Sequence, residues 1–191
     1  MERRRVSADV AAAIDLLLTE RSCEAVAAFV YGSVAAGRAG PTSDVDTFVL
    51  LARPLSDGAA RELRTSFVDL QRRLGYVPDT DYPVELFTVE QVHTALTGAE
   101  VERAVKQSRS AEELGTELAE SDEVEILRAL LGVRLTVRHS PRLDELTALA
   151  GQVLTRHLGT ASPQLHERAR RVLGVRQPHS TPAGGTHNGH G

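Results

Sequence analysis

The sequence predicts an α+β fold: a small mixed β-sheet with flanking helices, followed by a mainly helical C-terminal region. Three observations predict it. Short apolar runs of strand length alternate with helical patterns through the first ninety or so residues. Two of those runs, in "EAVAAFVYG" and "SDVDTFVLLA", become continuously apolar, as interior strands do. Beyond residue 100 the pattern is helical apart from one alternating segment.

Each element has its own signal. Ser7 reads as an N-cap, and Val10, Ile14, Leu17 and Leu18 fall on one face of a helix over 8–21. Residues 24–32 end in Gly and read as a buried strand, and "SVAAGRAG" after it reads as a short helix closing on Gly40-Pro41. A second strand spans 43–52. The clearest helix is 56–75, with a serine cap, Leu63, Phe67, Leu70 and Leu74 on one face, and a terminal Gly. A third strand, 82–89, leads into a short helix. Residues 100–131 are helical in pattern, and "VRLTVRHSP" alternates up to Pro141 as a fourth or edge strand would. Helices over 142–158 and 162–174 follow. The tail 177–191, rich in Gly, His and Pro, lacks the apolar residues a core needs and reads as disordered. The division expected is a catalytic domain at 1–98, a helical region at 99–176 and the tail.

Composition narrows the function classes. The chain is 41% hydrophobic but only 4% aromatic, so its core rests on Ala, Val and Leu. A formal charge of −4 argues against a general nucleic-acid binder, which needs a basic surface. Charge is unevenly spread: residues 100–125 carry nine acids and three bases, and residues 126–178 nine arginines and three acids. These read as solvated helical surfaces facing each other, with a basic docking face as the alternative. The single cysteine, Cys23, excludes an internal disulfide and reads as a core residue. No apolar run is long enough for a membrane span, and the N-terminus lacks a cleavage signal, so a cytoplasmic protein is expected.

The chemistry concentrates in "FVYGSVAAGRAGPTSDVDTFVLL", residues 29–51. At strand spacing Asp44 and Asp46 project to one face, with Val45 opposite. Two adjacent carboxylates repel unless a cation lies between them. A polar strand entrance would also hold two acids, but Asp46 leads straight into "TFVLL", with no basic residue within four positions. A divalent metal with oxygen ligands answers this, and Mg2+ suits it. The Gly32-Ser33 pair ends one strand and opens a helix, where free N–H groups and a hydroxyl can receive phosphate. Ten residues separate Ser33 from Asp44.

The stretch "GSVAAGRAGPTSDVD" resembles the signature of the polymerase-β-like nucleotidyltransferase superfamily, and most closely its small bacterial minimal and aminoglycoside-type members. The clear likeness covers about residues 28–52, and a looser one extends to about 90. The resemblance implies one or two Mg2+ ions on Asp44 and Asp46, and Gly32 and Ser33 on the triphosphate. Arg38, following Gly37 in the same turn, reads equally as a triphosphate contact or as a solvent-exposed arginine. It also implies a third carboxylate on a later strand. Asp79 and Asp81 lie in a Pro-flanked turn sequence, whereas Glu85 interrupts the apolar run "YPVELFTV". Glu85 is therefore the expected third member, as metal ligand or base, and Asp81 the reserve; a solvent-facing residue on an edge strand is the alternative for Glu85.

The expected activity is transfer of a nucleoside monophosphate, AMP from ATP, to a hydroxyl of a small-molecule acceptor. Two alternatives remain open at this point. One is an antitoxin of the minimal-nucleotidyltransferase kind, which binds or nucleotidylates a partner protein. The other is a non-catalytic nucleotide-binding module. The Arg-rich helical region would supply the acceptor pocket or a homodimer contact. Tyr31 reads as a strand core residue, His93 and His139 as structural or surface residues, and the tail histidines as incidental.

Overall fold

The computed structural model describes residues 2–97 and 122–158. Residues 100–121 of the acidic stretch, the expected 162–174 helix and the tail lie outside these residues. The chain runs α1 (Glu2–Glu20), β1 (Ala25–Val30), α2 (Gly32–Ala35), β2 (Thr47–Leu51), α3 (Asp57–Arg73), β3 (Glu85–Thr88) and α4 (Val89–Thr97). After the undescribed segment come α5 (Asp122–Leu131), β4 (Leu135–Arg138) and α6 (Pro141–Leu158).

The four strands form one mixed sheet in the order β3-β2-β1-β4. β1 pairs antiparallel with β2, placing Phe29 opposite Phe48, and antiparallel with β4 on its other side. β2 and β3 are parallel, joined through α3, with Phe48 opposite Glu85. A parallel pair needs such a crossover because no tight turn can reverse the chain twice.

Both faces are covered. On one face Val10, Ile14, Leu17 and Leu18 of α1, with Leu63, Phe67 and Leu70 of α3, pack against Ala28, Val30, Val49 and Leu51. On the other, α4, α5 and α6 bring Val92, Leu96, Ile126, Leu127, Leu130, Leu143 and Leu146 onto Ala27, Phe29, Phe48 and Leu50. Three of the four phenylalanines stack across β1, β2 and β3 on that second face: Phe29 and Phe48 at 5.1 Å between ring centroids, Phe48 and Phe87 at 5.3 Å. Arg134 lies over the Phe29 ring at 5.4 Å, and its Nη1 donates to Thr147 Oγ1. Residues beyond the expected boundary at 98 thus return to the same sheet: β4 adds an edge strand, and α5 and α6 complete one core face.

Several element boundaries differ from the sequence reading, among them β3, which begins at Glu85 and not at 82, and two others have a clear local cause. α1 begins at Glu2, ahead of Ser7, since the preceding Glu-Arg-Arg-Arg contains no helix breaker. β2 begins at Thr47, four residues later than expected. The Val45 N–H is taken by the Gln71 side chain and so leaves the strand ladder.

Candidate active site

The site begins where β1 ends. Tyr31 N–H donates to the Asp46 carbonyl at 3.0 Å, tying the end of β1 to the entrance of β2. Gly32 then turns the chain with φ of 65°, a left-handed conformation that L side chains rarely adopt. Space demands glycine here as well. A Cβ at Gly32 would overlap Asp46 Oδ2 and come within 2.8 Å of its Cγ. The Asp46 carboxylate therefore lies directly against the glycine backbone, and the Ser33 N–H donates to it. The single turn of α2 closes with Ala36, Gly37 and Arg38 N–H groups on the Gly32, Val34 and Ser33 carbonyls. Arg38 is exposed at its end.

Asp44 and Asp46 do come together, although they precede the strand. Val45 between them is buried against the α3 face. Burial pushes the Asp46 carboxyl up to about 6, and the neighbouring Asp44 charge and then Glu125 add to the shift. Arg128 and the Ser33 N–H act in the opposite direction without cancelling it. A half-buried acid beside a second acid is one whose charged form a nearby cation would stabilise.

Glu85 opens β3, half-buried, on the same sheet face as Phe48. Its partner across the ladder is Phe48, two residues after Asp46, which lies just before β2. At about 3.3 Å per residue and about 4.8 Å between strands, Glu85 sits diagonally across from Asp46. Among the described residues no three His, Cys, Asp or Glu side chains gather into a ready metal cage. Asp44 and Asp46 form the close pair, and Glu85 stands one strand away. Asp79 and Asp81 lie in the turn before β3. Asp79 Oδ1 accepts the N–H groups of Asp81 and Tyr82, the work of a turn residue, and Asp81 is exposed.

Sequence reasoning did not find a second layer contributed by α5. The buried Tyr31 hydroxyl donates to Glu125 Oε1 at 2.8 Å, and Arg128 Nη1 holds Glu125 Oε2 at 2.9 Å. Burial drives the Tyr31 phenol strongly upward, with Glu125, Asp46 and Glu85 all contributing, so it remains a proton donor. Tyr31 is thus the common neighbour of the three acids. Its partner lies 94 residues away in sequence, and a Glu-x-x-Arg pair on a helix reads as an ordinary surface ion pair. His93 is exposed, and exposed His139 bonds to Asp144.

The oxygen-only donor set, the acid pair and the close glycine backbone fit a hard divalent cation that takes one or two carboxylates and completes its shell from water and phosphate. A family model, nucleotidyltransferase domain, matches residues 16–111, which contain the turn, both aspartates and Glu85. The chain belongs to this nucleotidyltransferase family, of the polymerase-β-like superfamily, and its mixed four-stranded sheet with flanking helices is consistent with that fold. No curated protein and no solved structure matches the chain. Among the described residues no helix is long and apolar enough to cross a membrane.

Proposed function

We propose that this nucleotidyltransferase is Mg2+-dependent and moves AMP from ATP onto a hydroxyl of a small-molecule acceptor, releasing pyrophosphate. The observation that carries the reading is the Asp46 carboxylate, seated against Gly32 and raised to about 6 by burial and by Asp44. Asp44 and Asp46 would hold the cation. When bound, it supplies charge neutralisation on the triphosphate and on the departing pyrophosphate.

The chain's own residues take the remaining roles. Gly32 seats the Asp46 carboxylate beside the triphosphate, the Ser33 hydroxyl donates to it, and exposed Arg38 adds positive charge. Glu85 accepts the proton of the acceptor hydroxyl as its oxygen bonds to the α-phosphorus. The bond between the α-phosphorus and the bridging oxygen breaks, and pyrophosphate leaves with that electron pair. Glu85 is preferred to Asp81 because it pairs with Phe48 and, like Asp46, acts on the Tyr31 phenol, whereas Asp81 belongs to an exposed turn.

The test is incubation with each α-labelled nucleoside triphosphate and Mg2+, against a panel of small hydroxyl compounds and lysate protein. Label from ATP on a small compound is the expected result. Label confined to a protein would replace the acceptor with a partner chain, and no transfer from any triphosphate would leave a binding module.

A further inference from the structure

Gln71 is a polar residue on the apolar face of α3, 2% exposed, among Phe67, Leu70 and the buried Val45 and Val84. Burying a primary amide is costly unless its groups are paired. Its Oε1 accepts the Val45 N–H at 2.8 Å, and its Nε2 donates to the Pro83 carbonyl at 3.0 Å. Val45 is the residue between Asp44 and Asp46, and Pro83 lies two residues before Glu85. One side chain therefore joins the segment carrying the acid pair to the segment that leads into Glu85. The join falls where the ladder has not yet begun, since the first β2–β3 pair is Phe48 with Glu85. A second bond, Val77 N–H to the Ser43 carbonyl at 3.1 Å, ties the same two loops at their outer end.

We infer that Gln71 is a positioning residue for the reaction: it sets the Asp44–Asp46 pair and Glu85 at a fixed separation by clamping the backbone beside each. The inference rests on the reading of those acids given above. The amide is suited to this because it accepts and donates at once, in a fixed plane. No carboxylate, hydroxyl or apolar side chain of the same length satisfies both loops at neutral pH.

The test compares Gln71→Met, which keeps the volume and loses both bonds, with Leu63→Ala, which creates a cavity in the same helix and removes no hydrogen bond to either loop. Mn2+ binding is followed by electron paramagnetic resonance, pyrophosphate release by steady-state kinetics, and Val45 amide exchange by NMR. Gln71→Met is expected to expose the Val45 amide to exchange and to weaken Mn2+ binding and lower kcat by about 10–100-fold. Leu63→Ala is expected to lower Tm while leaving Mn2+ binding unchanged. If Gln71→Met does not fold, Gln71→Glu carries the test at pH 8. It keeps the acceptor for Val45 and opposes the Pro83 carbonyl, so Mn2+ binding is retained while kcat falls. Wild-type Mn2+ affinity and kcat in Gln71→Met, wild-type kcat in Gln71→Glu, or an equal loss of Mn2+ binding in Leu63→Ala would each overturn the inference while leaving the site reading intact. A wild-type protein that neither binds Mn2+ nor releases pyrophosphate overturns the site reading, and this inference with it.

Discussion

The Asp46 carboxylate occupies the space that a side chain at Gly32 would need. Gly32→Ala forces two changes at once. A left-handed alanine costs about 1–2 kcal/mol, and the new methyl displaces Asp46 from its seat and from the Ser33 N–H. The expected outcome is a folded protein with lower Tm and almost no transfer activity, checked by calorimetry and pyrophosphate release. Gly37, also at positive φ, has open space around its Cα. Alanine there should lower Tm through strain alone and leave most activity.

Asp46 makes stability depend on pH in a defined direction. Its carboxyl titrates near 3.8 unfolded and near 6 folded. The folded state therefore binds the proton more readily, and the stability this provides is full below about pH 4 and lost as pH rises through 6. Asp46→Asn removes the charge. At pH 8 it should stabilise the metal-free protein by on the order of 1–2 kcal/mol, allowing for partial exposure, and at pH 4 by almost nothing. Adding Mg2+ at pH 8 should raise the Tm of the wild type and not of the variant. Denaturant titrations at the two pH values check the first part, and thermal scans with and without Mg2+ the second.

Tyr31 links the glycine turn to α5 through Glu125. Tyr31→Phe keeps the ring packed edge-on against Phe29 and removes only the hydroxyl. A hydrogen bond to a charged group contributes about 1.5–3 kcal/mol; Arg128 remains on Glu125 and softens the loss. We expect destabilisation of about 1–2 kcal/mol, measured by urea unfolding. Glu125→Gln, which retains an acceptor, should cost less.

Cys23 is buried, and burial pushes its thiol upward despite the nearby Arg138. The thiolate is the reactive form, so a disulfide reagent at pH 7.5 should label native protein far more slowly than protein in denaturant. Equal rates would contradict the packing of the turn between α1 and β1.

How much of this was legible in the sequence differs by element. The α3 face of Leu63, Phe67 and Leu70 is visible as a 3.6-residue period, and the apolar runs of β1 and β2 mark interior strands. The turn residues were legible for the same reason: Gly32, Asp44 and Asp46 are local in sequence. The long-range partners were not. Nothing in "VRLTVRHSP" says that it pairs with β1, and nothing in Glu125 says that it faces Tyr31, because such pairings are fixed by tertiary packing. Gln71 left a trace: it lies four residues after Phe67, a polar residue on the apolar face of an otherwise clean amphipathic helix. That trace marks a buried amide in need of partners, and only the fold names them.

Nucleotidyl transfer by this chain is expected to depend on Asp46. The most direct test is the rate of label transfer from α-labelled ATP with Mg2+, in wild type, Asp46→Asn and Glu85→Gln. Transfer with pyrophosphate release is expected in the wild type, none detectable in Asp46→Asn, and a reduced rate in Glu85→Gln, lower by about 10²–10⁴-fold. Transfer by Asp46→Asn at the wild-type rate would contradict that dependence.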